Sequence, residues 1–275
     1  NDSYMKLVIS IVYYDSRLDI LRDTLQSIVS ALDYTLAARS DLQATVVVVD
    51  NGSILSKVKQ LVGQVVGGRK YQWMVIGTGG NIGYGAAHNL VILNQESDYH
   101  LIINPDVEVV QDAFSEALDY MEQHPEVGLL SPYSEDPDGH KQYLCKRYPA
   151  VLDLFLRGFA PRTVKRYFSE RLQEYEMRCE MDQHALSKEV MASGCFMFVR
   201  HSVLDKVRGF SPDFFVYFED FDLSIRIAKQ SIIAYVPEVR IVHGGGNASK
   251  KGLKHILMFA KSAFIFYHIH GWRWA

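Results

Sequence analysis

Short, fully apolar runs alternate along this chain with longer stretches in which apolar residues recur every three or four positions. The runs are Leu7 to Tyr13, Val46 to Val49, Tyr71 to Ile76 and Tyr99 to Ile103. Four consecutive valines describe a strand covered on both faces, the habit of a parallel sheet. Between the runs lie helical stripes: Leu18 to Leu32 (Leu18, Leu21, Leu25, Ile28, Val29, Leu32), Ile54 to Val66 (Leu55, Val58, Leu61, Val62, Val65) and Ala86 to Asn94. Three strand–helix units and a closing strand predict an α/β fold with a doubly wound, mostly parallel central sheet and helices on both faces. Ala113 to Met121 follows as another helix.

The texture changes after about residue 130. Tyr133 to Gly139 reads as a polar loop, and Tyr148 to Met181 is basic and aromatic, so helices and loops laid against the sheet are expected. No Pro/Gly/Ser-rich stretch separates the halves. One domain is therefore expected over 1–252, its halves meeting near residue 130, followed by a C-terminal amphipathic helix over 253–275. That helix either packs on the domain or meets a membrane surface through its apolar residues, Trp272 and Trp274.

Composition narrows the classes. Of 275 residues, 48% are hydrophobic and 22% charged, enough for a folded core. A formal net charge of −3 and a pI near 6.4 give nucleic acid no electrostatic attraction. Three cysteines (Cys145, Cys179, Cys195) lack metal-type spacing and read as reduced thiols in a cytoplasmic protein. No signal peptide is visible, and no apolar run approaches the ~18 residues of a membrane span. Asn1-Asp2-Ser3 is expected to be a cloning remnant, and the end at Ala275 leaves room for a longer natural chain.

Chemistry-bearing residues gather where predicted strands end. Val46–Val49 stops at Asp50-Asn51-Gly52-Ser53, and Tyr99–Ile103 at Asn104-Pro105-Asp106. The carboxyl edge of an open α/β sheet is where ligands bind. A carboxylate there suits a hard cation that bridges substrate phosphates, although an Asx turn would use the same letters. Asp213 to Leu223 sets three carboxylates among aromatics at a helix start. The helix dipole accounts for an acid or two, but a desolvated carboxylate beside another acid also gains the proton affinity of a general base. His243 ends one more strand, where an imidazole completes a metal site with Asp106 if the strands are parallel neighbours. The run Gly77 to Gly85 matches neither a Rossmann fingerprint nor a P-loop, and more plausibly lets backbone approach a ligand.

Taken in order, Val46–Ser53, Gly79–Asn89, Asn104–Val107, Ser193–Arg200, Gly209–Arg226 and Val236–His243 resemble glycosyltransferase family 2, the inverting GT-A fold enzymes, most of all its bacterial rhamnosyltransferase-like members. The resemblance runs from about residue 7 to 249. It implies that Asp50 bonds a pyrimidine base in a pocket lined near Tyr13, with Asn51 beside it. It implies that Asn81, Gly83, Tyr84, Asn89 and Asn104 shape the nucleotide-sugar site. Asp106 and His243 would hold Mg2+ or Mn2+. Asp220 would be the catalytic base and Glu219 would orient it or contact the acceptor, while Ser193 and Gly194 would lie beside donor sugar and acceptor. The first acid of the family's Asp-x-Asp is Asn104 here, which weakens the metal site without abolishing it.

The function so implied moves a sugar, with L-rhamnose from dTDP-L-rhamnose first in line, onto a hydroxyl of a lipid-linked bacterial glycan. A UDP-hexose or UDP-N-acetylhexosamine donor is the alternative. Two further readings belong to other classes: an inactive nucleotide-sugar-binding partner, and a sugar nucleotidyltransferase. The last lacks the basic, glycine-rich triphosphate loop it needs near Leu7 to Arg22.

Overall fold

The computed structural model describes residues 4–178, 185–187, 190–244 and 252–275. Asn1-Asp2-Ser3, the Cys179 thiol and Gly245-Gly246 lie outside them. The first half runs β1 (Met5–Tyr13), α1 (Leu18–Ala38), β2 (Leu42–Asp50), α2 (Leu55–Val66), β3 (Gln72–Gly77), α3 (Tyr84–Ile92) and β4 (Tyr99–Ile103). It continues through β5 (Val107–Val109), α4 (Ala113–Gln123) and β6 (Val127–Glu135) to two short strands, β7 (Lys141–Gln142) and β8 (Cys145–Lys146). Helices α5 (Val151–Phe159), α6 (Arg162–Tyr167) and α7 (Ser169–Tyr175) precede β9 (Ala185–Ser187), β10 (Met191–Ala192) and β11 (Phe196–Arg200). Then come α8 (His201–Val207), α9 (Glu219–Ala228), β12 (Ile232–His243) and α10 (Leu253–His270).

The main sheet has the order β3-β2-β1-β4-β11-β6-β12-β5. β3, β2, β1 and β4 are parallel throughout. The valine run shows why. Val46 and Val48 enter the core under α1, α2 and α4, while Val47 and Val49 face the opposite core with Ala87 and Val91 of α3. A strand with helices on both faces has no polar side to alternate with.

The second half departs from the expected helices and loops. β11 inserts antiparallel between β4 and β6, and β12 runs parallel to β6. Tyr133–Glu135, expected in a loop, are the last residues of β6, held by Arg240–Val242 of β12 on one side and by β7 on the other. Partners distant in sequence, not local polarity, made this a strand. Likewise α10 stops at His270 because Gly271 takes φ 104, and residues 271–275 leave the helix. The carbonyls of Arg273 and Trp274 accept hydrogen bonds from the Val151 and Leu152 N–H groups at 2.8 and 3.2 Å, which are otherwise unpaired at the start of α5.

Candidate active site at the carboxyl edge of the sheet

Register brings the strand ends together. Tyr13 pairs with Asp50, Asp50 with Gly77, and Ile11 with Ile103, so four parallel strands finish side by side. Phe196 of antiparallel β11 pairs with Ile103, which sets Gly194-Cys195 at the same edge. The Asn104 N–H donates to the Cys195 carbonyl at 2.9 Å. The next residue back, Gly194, donates its N–H to Asp220 Oδ2 at 2.9 Å, and its carbonyl accepts from the Tyr84 hydroxyl at 2.7 Å. Segments around 84, 104, 194 and 220 therefore meet at one point.

α9 aims its acids there by a strained entry. Tyr217 and Phe218 both hold left-handed backbone, φ 69 and 66, immediately before Glu219. Such conformations cost about 1–3 kcal/mol each in a non-glycine residue and concentrate at functional sites. Phe218 is packed among Phe221, Phe259 and Phe266, which over-determines the turn. Burial and the neighbouring Asp220 push the Glu219 carboxyl up to about 8, and its Oε2 has no hydrogen-bond partner. Burial also raises Asp220, against the opposing hydrogen bonds from the Gly194 and Phe221 N–H groups and the charge of Lys146. Two adjacent carboxyls in one dry place do not both ionise readily. The two N–H donors on Asp220 favour the charge there over Glu219, whose burial favours its proton.

Asp106 and His243 come within 3.6 Å, Oδ1 to Nε2. The route is not the parallel neighbour expected. β12 pairs antiparallel with β5, matching His243 to Val107 and so setting the imidazole beside Asp106. Gln142 fixes the ring: its Oε1 lies 3.2 Å from Nδ1, and its Nε2 donates to the His243 carbonyl at 3.1 Å. With Nδ1 as donor, Nε2 presents a lone pair toward Asp106. Burial lowers the proton affinity of His243, partly offset by Asp106. Asp106 Oδ1 is buried with no hydrogen-bond partner. A carboxylate oxygen and an imidazole lone pair facing one another is a donor set for a divalent cation.

Four residues that the resemblance sets at the donor site also fasten the surrounding loops. Asp50, 1% exposed, accepts from the Gly52 and Ile54 N–H groups at 3.2 and 3.0 Å. Asn51, 2% exposed, ties Asn81, Ile82 and Gly83 together through three hydrogen bonds. Asn89 clamps Phe210 through both its N–H (2.9 Å) and its carbonyl (2.8 Å). Tyr13 is buried, with its hydroxyl donating to the Ser16 carbonyl. Short polar side chains at a strand end satisfy backbone groups first, which their letters alone do not reveal. Tyr14, one residue on and half exposed, lines the cleft in place of Tyr13.

Asn81 lines a cavity of about 460 Å³ together with Tyr14, Phe215 and the Lys254, Met258 and Lys261 side of α10. Gly83 must be glycine: at φ 97, an added Cβ would sit 2.7 Å from the Phe215 carbonyl. Gly194 stands beside Asp220, and the preceding Ser193 N–H donates to the Leu144 carbonyl at 2.9 Å.

Lys146 was missed by sequence reasoning. Burial brings its ammonium down to about 8, with Arg157 adding to the shift and Glu176 and Asp220 opposing it. It sits in a two-residue strand against Met191, too short to leave a periodic signal. Burial likewise pushes the Cys145 and Cys195 thiols up, to about 11 and about 12, so neither is a nucleophile near neutral pH. Among the described residues one three-ligand cluster occurs, Asp136, Asp138 and His140. It is the hairpin between β6 and β7, where Asp136 Oδ1 accepts the Asp138 and His140 N–H groups.

A mixed α/β sheet with acids converging on its carboxyl edge is the architecture of GT-A glycosyltransferases. Solved structures agree. The mannosyltransferase PcManGT from Pyrobaculum calidifontis, in complex with GDP-Man and Mn2+, aligns at TM-score 0.61 with 16% identity, over 96% of this chain and 66% of that one. S. aureus TarS 1–349 aligns at 0.57 with 15% identity, over 96% and 72%.

The chain belongs to glycosyl transferase family 2, whose profile matches residues 8–208, and it is a glycosyltransferase. Among curated proteins it is 27% identical over 261 residues to the N-acetylglucosaminyl-diphospho-decaprenol L-rhamnosyltransferase of Mycobacterium tuberculosis, covering 87% of this chain and 80% of that protein. It is 23% identical over 180 residues to rhamnosyltransferase WbbL of Escherichia coli K12, covering 60% and 62%.

Proposed function

We propose that this protein is an inverting, metal-dependent rhamnosyltransferase that transfers L-rhamnose from a nucleoside diphosphate donor, dTDP-L-rhamnose first, to a hydroxyl of a lipid-linked glycan. The convergence of Asp106, Gly194 and Asp220 at one sheet edge carries the chemistry, and the mycobacterial relative supports the sugar and acceptor. The donor lies along the edge formed by Tyr14, Asn81 and Asn104, its diphosphate toward Asp106 and His243. Asp106 and His243 would hold a Mg2+ or Mn2+ ion, which would supply Lewis-acid stabilisation of the diphosphate leaving group. The orphaned Asp106 Oδ1 and the Nε2 lone pair fit such an ion.

Asp220 takes the proton from the acceptor hydroxyl as its oxygen bonds to the anomeric carbon. The bond from that carbon to the diphosphate oxygen breaks, the nucleoside diphosphate departs, and configuration inverts. One base suffices, whereas a retaining hydrolase needs two paired carboxyls. Glu219, its carboxyl pushed up to about 8 and its Oε2 without a partner, would hydrogen-bond the acceptor or hold Asp220 ionised.

Incubation with dTDP-L-rhamnose, UDP-hexoses and UDP-N-acetylhexosamines, scored by released nucleotide, tests the donor. Asp220→Asn is expected to lower transfer by about 10²–10⁴-fold while donor binding persists. Full transfer by that variant sinks the base assignment, and nucleotide binding without transfer to any acceptor by the wild type would favour an inactive partner.

A further inference from the structure

α9 opens with three acids, and the fold treats each differently. Asp222 is bound outright, by the Arg226 guanidinium at 2.7 Å and His270 Nε2 at 2.9 Å. Although burial pushes its carboxyl up, those contacts hold it below the usual range. Glu219 has no hydrogen-bond partner for Oε2, and burial favours its proton. Asp220 lies between these extremes. It accepts the Gly194 and Phe221 N–H groups, each at 2.9 Å, and feels the charge of Lys146, yet no cation pairs with it among the described residues.

Lys146 arrives on a short ribbon. β8 and β10 pair antiparallel, Lys146 against Met191 and Cys145 against Ala192. The ribbon is fastened to α9: the Ala192 N–H donates to Ser224 Oγ at 3.0 Å, and two residues on, the Gly194 N–H holds Asp220 Oδ2. Cross-strand partners share one face of a ribbon, and Met191 packs in the cluster of Phe218, the residue that precedes Glu219. Lys146 is thereby set on the side where the acids of α9 begin. Its ammonium makes no hydrogen bond or ion pair among the described residues. Glu176, the other acid that it feels, is taken up by Arg178 at 2.6 Å and has Arg157 at 4.0 Å.

The other titratable neighbours of Asp220 carry no charge near neutral pH. Burial raises the Tyr84 hydroxyl of α3, the Tyr175 hydroxyl of α7 and the Cys195 thiol, so all three stay protonated. Arg157 of α5 repels Lys146, adding to the burial that brings its ammonium down to about 8, and below that pH Lys146 remains a cation. The contrast with Asp222 shows what such a charge does. A direct ion pair occupies carboxylate oxygens and depresses proton affinity, which disables a base. A cation that does not touch the carboxylate offsets the cost of burying its charge and leaves a lone pair free for a proton.

We propose that Lys146 is a positioning residue of the base: its ammonium, brought up by the β8–β10 ribbon, keeps the Asp220 carboxylate charged without pairing with it, so that Asp220 can take the proton of the acceptor hydroxyl. The assignment rests on Asp220 being the base. The proton moves from the hydroxyl to Asp220 and Lys146 keeps its own. Removing the positive charge raises the proton affinity of Asp220, so in a neutral variant the carboxyl ionises at higher pH and activity begins at higher pH.

The test is a carboxyl titration of the full chain by 13C NMR with labelled aspartate, the Asp220 resonance being assigned by its loss in Asp220→Asn. Its midpoint is expected to rise by about one pH unit in Lys146→Met and to stay near the wild-type value in Lys146→Arg. The acid limb of kcat/KM, measured with dTDP-L-rhamnose and an alkyl N-acetylglucosaminyl diphosphate, is expected to move with it while the acceptor KM on the plateau holds. Lys146→Gln is a second neutral variant, and melting temperatures identify the folded ones. An unmoved midpoint in folded Lys146→Met or Lys146→Gln overturns the proposal. An unmoved limb with a raised acceptor KM assigns Lys146 to the acceptor and also overturns it. A moved midpoint in a protein whose Asp220→Asn variant keeps full transfer upholds the charge coupling and sinks the base reading instead, so the two failures give different results.

Discussion

Single side chains in this molecule hold protonation states that oppose one another. His88 and His100 are fully buried, each about 2.8 Å from the Ser10 hydroxyl, and burial takes His88 down to about 3 and His100 well below its ordinary value. The unfolded chain therefore binds more protons than the folded one below about pH 6.5, so stability falls as pH drops through that value. Glu219 works in the other direction. Its folded carboxyl stays protonated up to about 8 while the unfolded one ionises near 4.5, so its contribution to stability is lost as pH rises between those values. Melting curves across pH 5–8 should show the second loss in wild type and not in Glu219→Gln. The same ionisation removes the proton that Glu219 would donate to the acceptor or to Asp220, so kcat/KM is expected to fall above about pH 8 in wild type and to stay flat in Glu219→Gln. Ser10→Ala, which leaves both imidazoles without their shared partner, is expected to cost about 1–3 kcal/mol in chemical denaturation.

At the scale of elements, short loops do the positioning. The Gly77–Tyr84 segment is stapled by Asn51 and seated on Phe215, whose carbonyl accepts the Tyr84 N–H at 3.1 Å. Gly83→Ala drives a methyl into that carbonyl and is expected to cost about 2 kcal/mol or more and to lower transfer, since Tyr84 holds Gly194 and Gly194 holds Asp220. Asn89→Ala acts one loop away: it frees the Phe210 backbone, and thermal melting should show a loss of about 1–3 kcal/mol. These glycines and asparagines were legible in the sequence as site residues. Their work as loop fasteners was not, because an Asn read in one dimension does not say whether its amide faces a ligand or a carbonyl. Tyr13 and Tyr14 show the same limit, since a one-residue step along β1 exchanges core for cleft.

Across the whole molecule, the proposed mechanism draws its base, Asp220, from the second half of the chain and its metal-binding carboxylate, Asp106, from the first. Asp106→Ala is expected to abolish activation by Mg2+ or Mn2+, and calorimetric Mn2+ titration in the presence of nucleoside diphosphate should lose its binding heat. Unchanged metal dependence in that variant would remove Asp106 from the site. α10 packs on the domain along one face. Phe266 and Tyr267 are buried against Met191, Phe214 and Phe218, while Leu257 and Phe264 face outward. Truncation at residue 253 is therefore expected to lower the melting temperature.

Periodicity alone determined the strand–helix alternation of the first half, because an apolar run under helices and an amphipathic stripe each follow from local hydrophobic pattern. The order of polar strand ends was enough to resemble a glycosyltransferase family and to single out Asp106, Asp220 and His243. Tertiary structure decided what depends on partners far away in the chain: the antiparallel insertion of β11, the β6 residues Tyr133–Glu135, the pairing of β12 with β5 that brings His243 to Asp106, and Lys146 beside Asp220. It also decided which polar residues turn inward. Val46–Ser53 ends at the edge where the proposed donor would dock, and Asp50 and Asn51 fasten that edge, since buried backbone N–H groups need an acceptor.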